Sequence, residues 1–257
     1  MPSPDAVDWE LAQRVAARIG GTEPLAQSYL YHSLEPDFAE FTPLAEELVE
    51  AETGLRSLEG PARSRVIGRS EWVAANIVAF QRLLRPIAGK LAAKQEKESF
   101  GPLTRKIAAV EMGSVLGWMS KRVLGQYDLL IVEEENPHDQ DLVYFVGPNI
   151  LAIEKRFAFP PREFRLWLAV HELTHRAQFT GVPWLRPYFL EQVESIMDSV
   201  DPDPEQIMAG VKRILDERRA GGSSLKDGGL AMAFATGEQR EVLERLTGLM
   251  SLLEGHG

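Results

Sequence analysis

The segment Phe164 to Thr180, FRLWLAVHELTHRAQFT, places His171, Glu172 and His175 inside a run whose apolar residues recur at helical spacing. Imidazoles at i and i+4 face one side of a helix about one turn apart, so they can share a metal ion. Leu166, Val170, Leu173 and Ala177 form one apolar stripe, while Phe164, Trp167 and Leu168 flank the histidine face, which predicts a helix buried on two sides. Inward-facing imidazoles carry a desolvation cost unless their nitrogens find partners, and a metal ion would serve both. With 5 His in 257 residues, an HExxH run arises by chance in about one sequence in a hundred of this composition.

Zinc suits this arrangement best. The chain has no Cys, so an all-thiolate or mixed Cys/His structural site is impossible and any zinc is held by His and carboxylate. Glu172 follows the first ligand at about 100° round the helix, where it can reach a water on the metal without being a ligand. Its expected role is general base, taking the proton of the attacking water and passing it to the leaving amine. A catalytic site needs a third protein ligand, and the lack of a third His at close spacing favours a carboxylate. Glu191 and Glu194 fall opposite the stripe Leu185, Phe189, Val193 and Ile196 on a helix expected from Trp184 to Val200, and so read as solvated. Glu254 falls beside Leu243 and Met250 at the edge of the stripe of Arg240 to Glu254, while Glu241 and Glu244 point away. Glu254 is therefore the expected third ligand, with Glu191, Glu194 and His256 as alternatives. His32 and His138 sit in polar loop contexts and read as surface residues.

The rest of the chain supplies a frame of mixed class. From Asp8 to about Leu124 the spacing is helical, with Pro24, Pro36, Pro43, Pro61, Pro86 and Pro102 expected at helix ends. The clearest helix there is Ser70 to Leu91, with Pro86 as a stop or kink. Between Tyr127 and Phe157 the runs LLIVEE, LVYFVG and ILAIEKRF, separated by NPHDQD and Gly147-Pro148-Asn149, read as three short antiparallel strands. Pro160 and Pro161 then open the HELTH helix, ended by Gly181 and Pro183. The expectation is an α+β fold, mostly α, with a helical N-terminal half and a small antiparallel sheet next to the HExxH helix. A helical region over 1–125 and a metal-binding region over 126–257 are expected, in one continuous domain or two. The stretch GGSSLKDGG at 221–229 reads as a surface loop. The pattern Arg240 to Glu254 is still helical where the sequence stops, which suggests a truncated chain.

A formal net charge of -10 argues against nucleic acid or an anionic membrane as a partner. No stretch approaches the roughly 20 apolar residues of a membrane span, and the N-terminus MPSPDAVDWE lacks the basic and apolar runs of a leader. A cytoplasmic location is expected. Two functions compete: a zinc-dependent hydrolase acting on a peptide or small amide, and a non-catalytic, metal-stabilised helical scaffold. An enzyme keeps the fourth coordination position open, whereas a scaffold would seal it, with Trp167, Trp184 or Tyr188 as the residues to do so.

The runs SEWVAANIVAF, LGWMSKRVLGQYDLL, LVYFVGPNIL, FRLWLAVHELTHRAQFTGVPWL and LMSLLEGHG carry a family resemblance across most of the chain. It resembles the zincin-like zinc-dependent metalloproteases of actinobacteria and Chloroflexi, some of which carry a label linking them to deazaflavin-cofactor biosynthesis. The resemblance implies a zincin-like fold with zinc as cofactor, His171, His175 and Glu254 as ligands, and Glu172 as catalytic base. It also implies an edge strand above the helix that can pair with an extended peptide, for which LVYFV or ILAIEKR are the candidates. Tyr127 and Tyr188 are phenols able to donate to a developing oxyanion; neither is assigned.

Overall fold

Five consecutive apolar residues, Leu142–Val146, form the strand around which the first half of the fold is organised. A strand that is apolar at every position belongs in the middle of a sheet with both faces covered, and all five are buried. The computed structural model describes residues 7–94, 102–129, 141–199 and 237–256. Among them the elements run α1 Trp9–Gly20, α2 Leu34–Thr53, β1 Arg63–Ile67, α3 Arg69–Lys94, α4 Pro102–Met119, β2 Gly125–Tyr127, β3 Leu142–Val146, α5 Gly147–Phe157, α6 Pro161–Gly181 and α7 Leu185–Ser199. They end with α8, Gly237–His256. The fold is α+β and mostly α.

The sheet has the order β1-β3-β2. β1 runs parallel to β3, pairing Arg63 with Leu142 and Ile67 with Val146, while β2 runs antiparallel, pairing Gly125 with Phe145 and Tyr127 with Val143. The sheet is thus mixed rather than purely antiparallel, and the N-terminal half contributes a strand. On one face of β3, Leu142, Tyr144 and Val146 pack with Trp72 of α3, Leu116 of α4 and Ala16 of α1. On the other, Phe145 stacks on Phe38 of α2 with centroids 3.7 Å apart.

Three expectations are corrected. ILAIEKRF is the body of α5, not a strand: Pro148 stands in its first turn, Lys155 and Arg156 in its last, and Gly147, Ile150, Leu151 and Glu154 make the buried i, i+3, i+4, i+7 face. LVYFV is the central strand, so neither candidate for a peptide-pairing edge stands at an edge. Pro43 lies inside α2, and α3 continues through Pro86 to Lys94; a proline in mid-helix removes one backbone donor without ending a helix that tertiary packing holds. The LIVEE part of LLIVEE, His138 and the 221–229 stretch lie outside the described residues.

Asn149, expected in a turn, is a buried anchor. Its Nδ2 donates to the carbonyls of Ser120 (2.8 Å) and Val123 (2.7 Å), and its Oδ1 accepts from Arg69 Nε at 2.7 Å. It fixes the chain that leads into β2.

The chain divides into two compact units, Met1–Arg186 with His256–Gly257, and Pro187–Gly255. In the second, α7 carries Glu191 and Glu194 exposed beside buried Gln192. Along α8, Leu253 is buried while Val242, Leu243, Leu246 and Leu249 are half-buried. Glu254 is exposed beside this stripe, as is Met250, which the sequence reading had placed on it. No helix among the described residues is long and apolar enough to cross a membrane.

Candidate metal centre

The HELTH run lies in the middle of α6. Its opening by Pro161 and the acidic Glu163 in the first turn suit a helix N-terminus. Arg165 near that end is buried and donates two bonds to Glu154 of α5 (2.7 and 2.9 Å) and one to Asp37 of α2 at 2.7 Å. These charge-assisted bonds fix the rotation of α6 about its axis.

That rotation sets three faces. His171 and His175 are half-buried on one face, with their Nε2 atoms 3.2 Å apart. His175 Nδ1 meets Gln178 Oε1 at 3.1 Å, and Gln178 Nε2 meets His256 Nδ1 at 3.2 Å. An amide oxygen only accepts, so in this contact His175 Nδ1 is the donor. This is the outer hydrogen bond that orients a ligating histidine. Two donors on a tetrahedral zinc at 2.0–2.1 Å stand about 3.3 Å from one another, so the observed separation fits a shared ion.

Glu172 is on the second face, buried at 6% exposure, where its carboxylate lies against the backbone of Gly125 at the start of β2. A Cβ at position 125 would overlap the Glu172 carboxylate, so the absent side chain is what gives the carboxylate its place. On the third face Arg176 is fully buried. It donates to Asp141 from Nε (3.1 Å) and Nη2 (2.6 Å), to Glu46 from Nη1 (2.7 Å) and to the Gly60 carbonyl from Nη2 at 3.0 Å. Burial works against the Arg176 charge, but its bonds to Asp141 and the fields of Asp141 and Glu46 outweigh it and hold the guanidinium above its usual value.

Tyr127 joins this third-face network. Its hydroxyl donates to Asp141 Oδ1 at 3.0 Å and accepts from Arg186 Nη2 at 2.7 Å. Burial, then the neighbouring Asp141 carboxylate, push the phenol well above its ordinary value. Its hydroxyl is thereby committed to the fold.

Trp167 stacks on His171 with centroids 5.7 Å apart and is 57% exposed; Trp184 is 63% exposed. His32 is at the surface, as expected. The sequence reading did not single out Gly125 or Gln178. Gln178 had a signal, because it lies seven residues after His171 and three after His175 on the same helical face. Gly125 had none beyond being a glycine in an extended stretch.

A helix that aims two imidazoles at one point, with a buried carboxylate on the adjacent face, defines a metal-dependent class. The chain belongs to the zincin-like metallopeptidase family, whose model matches residues 7–257. Among solved structures it is similar to a Chloroflexus aurantiacus protein described as a candidate hydrolase with a novel fold, at 30% identity and a TM-score of 0.66. The match covers 97% of this chain and 66% of that one, so the chain spans just under two-thirds of its solved relative's length. None of the curated proteins compared with it matches. His171 and His175 lie together within the first unit, and Glu254 is an exposed carboxylate of the second.

Proposed function

We propose that the chain is a zinc-dependent hydrolase of peptide or other amide bonds, with His171, His175 and Glu254 as ligands and Glu172 as general base. The observation that carries the reading is the facing pair of Nε2 atoms at 3.2 Å, one of them on a ring oriented by Gln178. Support for Glu254 comes from the donor chemistry of the three residues. It comes also from His256, two residues further on, which meets the Gln178 amide.

When bound, zinc supplies Lewis acidity, polarising the substrate carbonyl and activating water. Glu172 accepts the water proton as the water oxygen bonds to the carbonyl carbon. It returns that proton to the amide nitrogen as the C–N bond breaks, leaving a carboxylic acid and an amine. The buried setting of Glu172, its position set by the missing side chain of Gly125, suits a base that must hold one geometry. The Gln178 contact at His175 Nδ1 orients the ring so that Nε2 faces His171. The exposure of Trp167 and Trp184 favours an open fourth position over a sealed structural site.

The test is elemental analysis of wild type, His171→Ala and Glu172→Gln, followed by digestion of a peptide pool. The expected result is one zinc in wild type and Glu172→Gln, none in His171→Ala, and cleavage by wild type alone. Absence of stoichiometric metal from all three under non-chelating conditions would overturn the reading.

A further inference from the structure

One feature of α6 is not used by the metal or the base: a continuous aromatic ladder leading away from the histidines. His171 stacks on Trp167 at 5.7 Å, Trp167 on Phe164 at 5.9 Å, Phe164 packs against Phe159 at 5.1 Å, and Phe159 stacks on Phe157 at 5.6 Å. Phe157, Phe159 and Trp167 are 53%, 41% and 57% exposed. Large exposed apolar groups in one contiguous patch mark a binding surface more often than isolated ones do. Here the patch is concave: Leu124, Ile153, Phe159, Phe164 and Trp167 line a trough of about 480 Å³, with Glu163 as the single carboxylate in its lining.

Two residues of the lining adjoin residues of the proposed reactive centre. On one side its wall, Trp167, is the ring stacked on His171. On the other, Leu124 directly precedes Gly125, whose backbone carries the Glu172 carboxylate. A substrate side chain that reaches past the Trp167 ring from the His171 side would enter the trough. The lining offers that side chain ring faces and aliphatic carbon, and little that could satisfy a polar group.

We propose that the trough selects amide substrates carrying a large apolar, preferably aromatic, side chain next to the bond that is cut. The proposal rests on the hydrolase reading for its orientation. The trough holds a benzyl group with room to spare, and Phe164 and Trp167 provide the offset stacking partners that aromatic rings prefer. A methyl side chain would leave most of the lining wet.

The test compares two pairs of probes by calorimetry or ligand-observed NMR. N-acetyl-phenylalanine amide and N-acetyl-alanine amide are titrated into the metal-free full chain. Phenylalanine hydroxamate and alanine hydroxamate are titrated into the zinc-loaded chain. The expected result is at least tenfold tighter binding of the phenylalanine member in both pairs. Ile153→Trp, which fills the trough, should abolish the advantage, and Trp167→Ala, at an exposed position, should reduce it to about threefold. Equal binding within both pairs overturns the pocket. If zinc nevertheless tightens hydroxamate binding, the metal reading survives that loss. A persistent phenylalanine preference with no gain from zinc supports the pocket while removing the hydrolase reading on which its orientation rests.

Discussion

Arg176 and His175 are adjacent on α6, yet they belong to opposite kinds of site. Arg176 is a buried cation whose Nε and both terminal nitrogens are all engaged by the chain itself, through Asp141, Glu46 and the Gly60 carbonyl. His171 and His175, half-buried one face away, bring their Nε2 atoms within 3.2 Å of each other, and Gln178 meets the other ring nitrogen of His175. A buried polar group serves the fold when the chain meets its whole bonding capacity. It is a candidate for chemistry when the chain fixes its orientation beside another group of the same ligating kind. One helix carries both because 100° per residue separates neighbours in sequence onto different faces.

The separation can be broken most sharply at Glu172. Glu172→Gln in the zinc-loaded protein should lower peptide cleavage by about 10²–10⁴-fold, with zinc content unchanged by elemental analysis. On the other face, Arg176→Met leaves the buried Asp141 and the partly exposed Glu46 without their shared cation, and urea unfolding should show a loss of about 3–5 kcal/mol. The folded fraction should still bind zinc. If Arg176→Met released zinc without unfolding, the two faces would not be independent. Gly125→Ala should keep the metal but displace the Glu172 carboxylate, lowering cleavage by about 10²-fold, the scale of a misplacement near 1 Å; wild-type rates in that variant would mean the carboxylate is not held by β2. Gln178→Leu, which removes the partner of His175 Nδ1, should weaken zinc by about 10–100-fold in a chelator competition. The smallest effect lies at alkaline pH. Because the folded chain holds the Tyr127 phenol above its ordinary value of 10.0, the stabilisation from its neutral form is complete below that value and is lost as pH rises past it. Denaturation midpoints should therefore fall above about pH 10, and Tyr127→Phe should show less of that decline, Tyr31 being the other phenol held above its ordinary value.

The face that carries the histidine pair was legible in the sequence because it is local. His171, Glu172, His175 and the helix that carries them are set by spacing within one segment, and Pro160-Pro161 marked where it begins. Parts that depend on partners elsewhere in the chain were not. RSRVI is a strand only because β3 lies beside it: five residues with two arginines carry too little apolar alternation to be read alone. ILAIEKRF carries a helical buried face, but Gly147-Pro148-Asn149 has the composition of a turn and was read as one. In the structure that tripeptide is a helix start whose asparagine is consumed by two distant carbonyls. Gly125 matters through the side chain it does not have, and the residue that needs the space lies 47 positions away.

The parallel pairing of β1 with β3 bears on the order of events in folding. Arg63 meets Leu142 only after α3, α4 and β2 have been accommodated between them, a closure of the long-range kind that slows folding. Helix α6 can form its hydrogen bonds early, since they are local. Glu172 has its resting place only once β2 is seated on β3. During refolding, far-ultraviolet ellipticity should thus return ahead of function, and any catalytic competence should appear in step with protection of the β3 amides from exchange. A chain in that interval would own its histidine helix and still be inert.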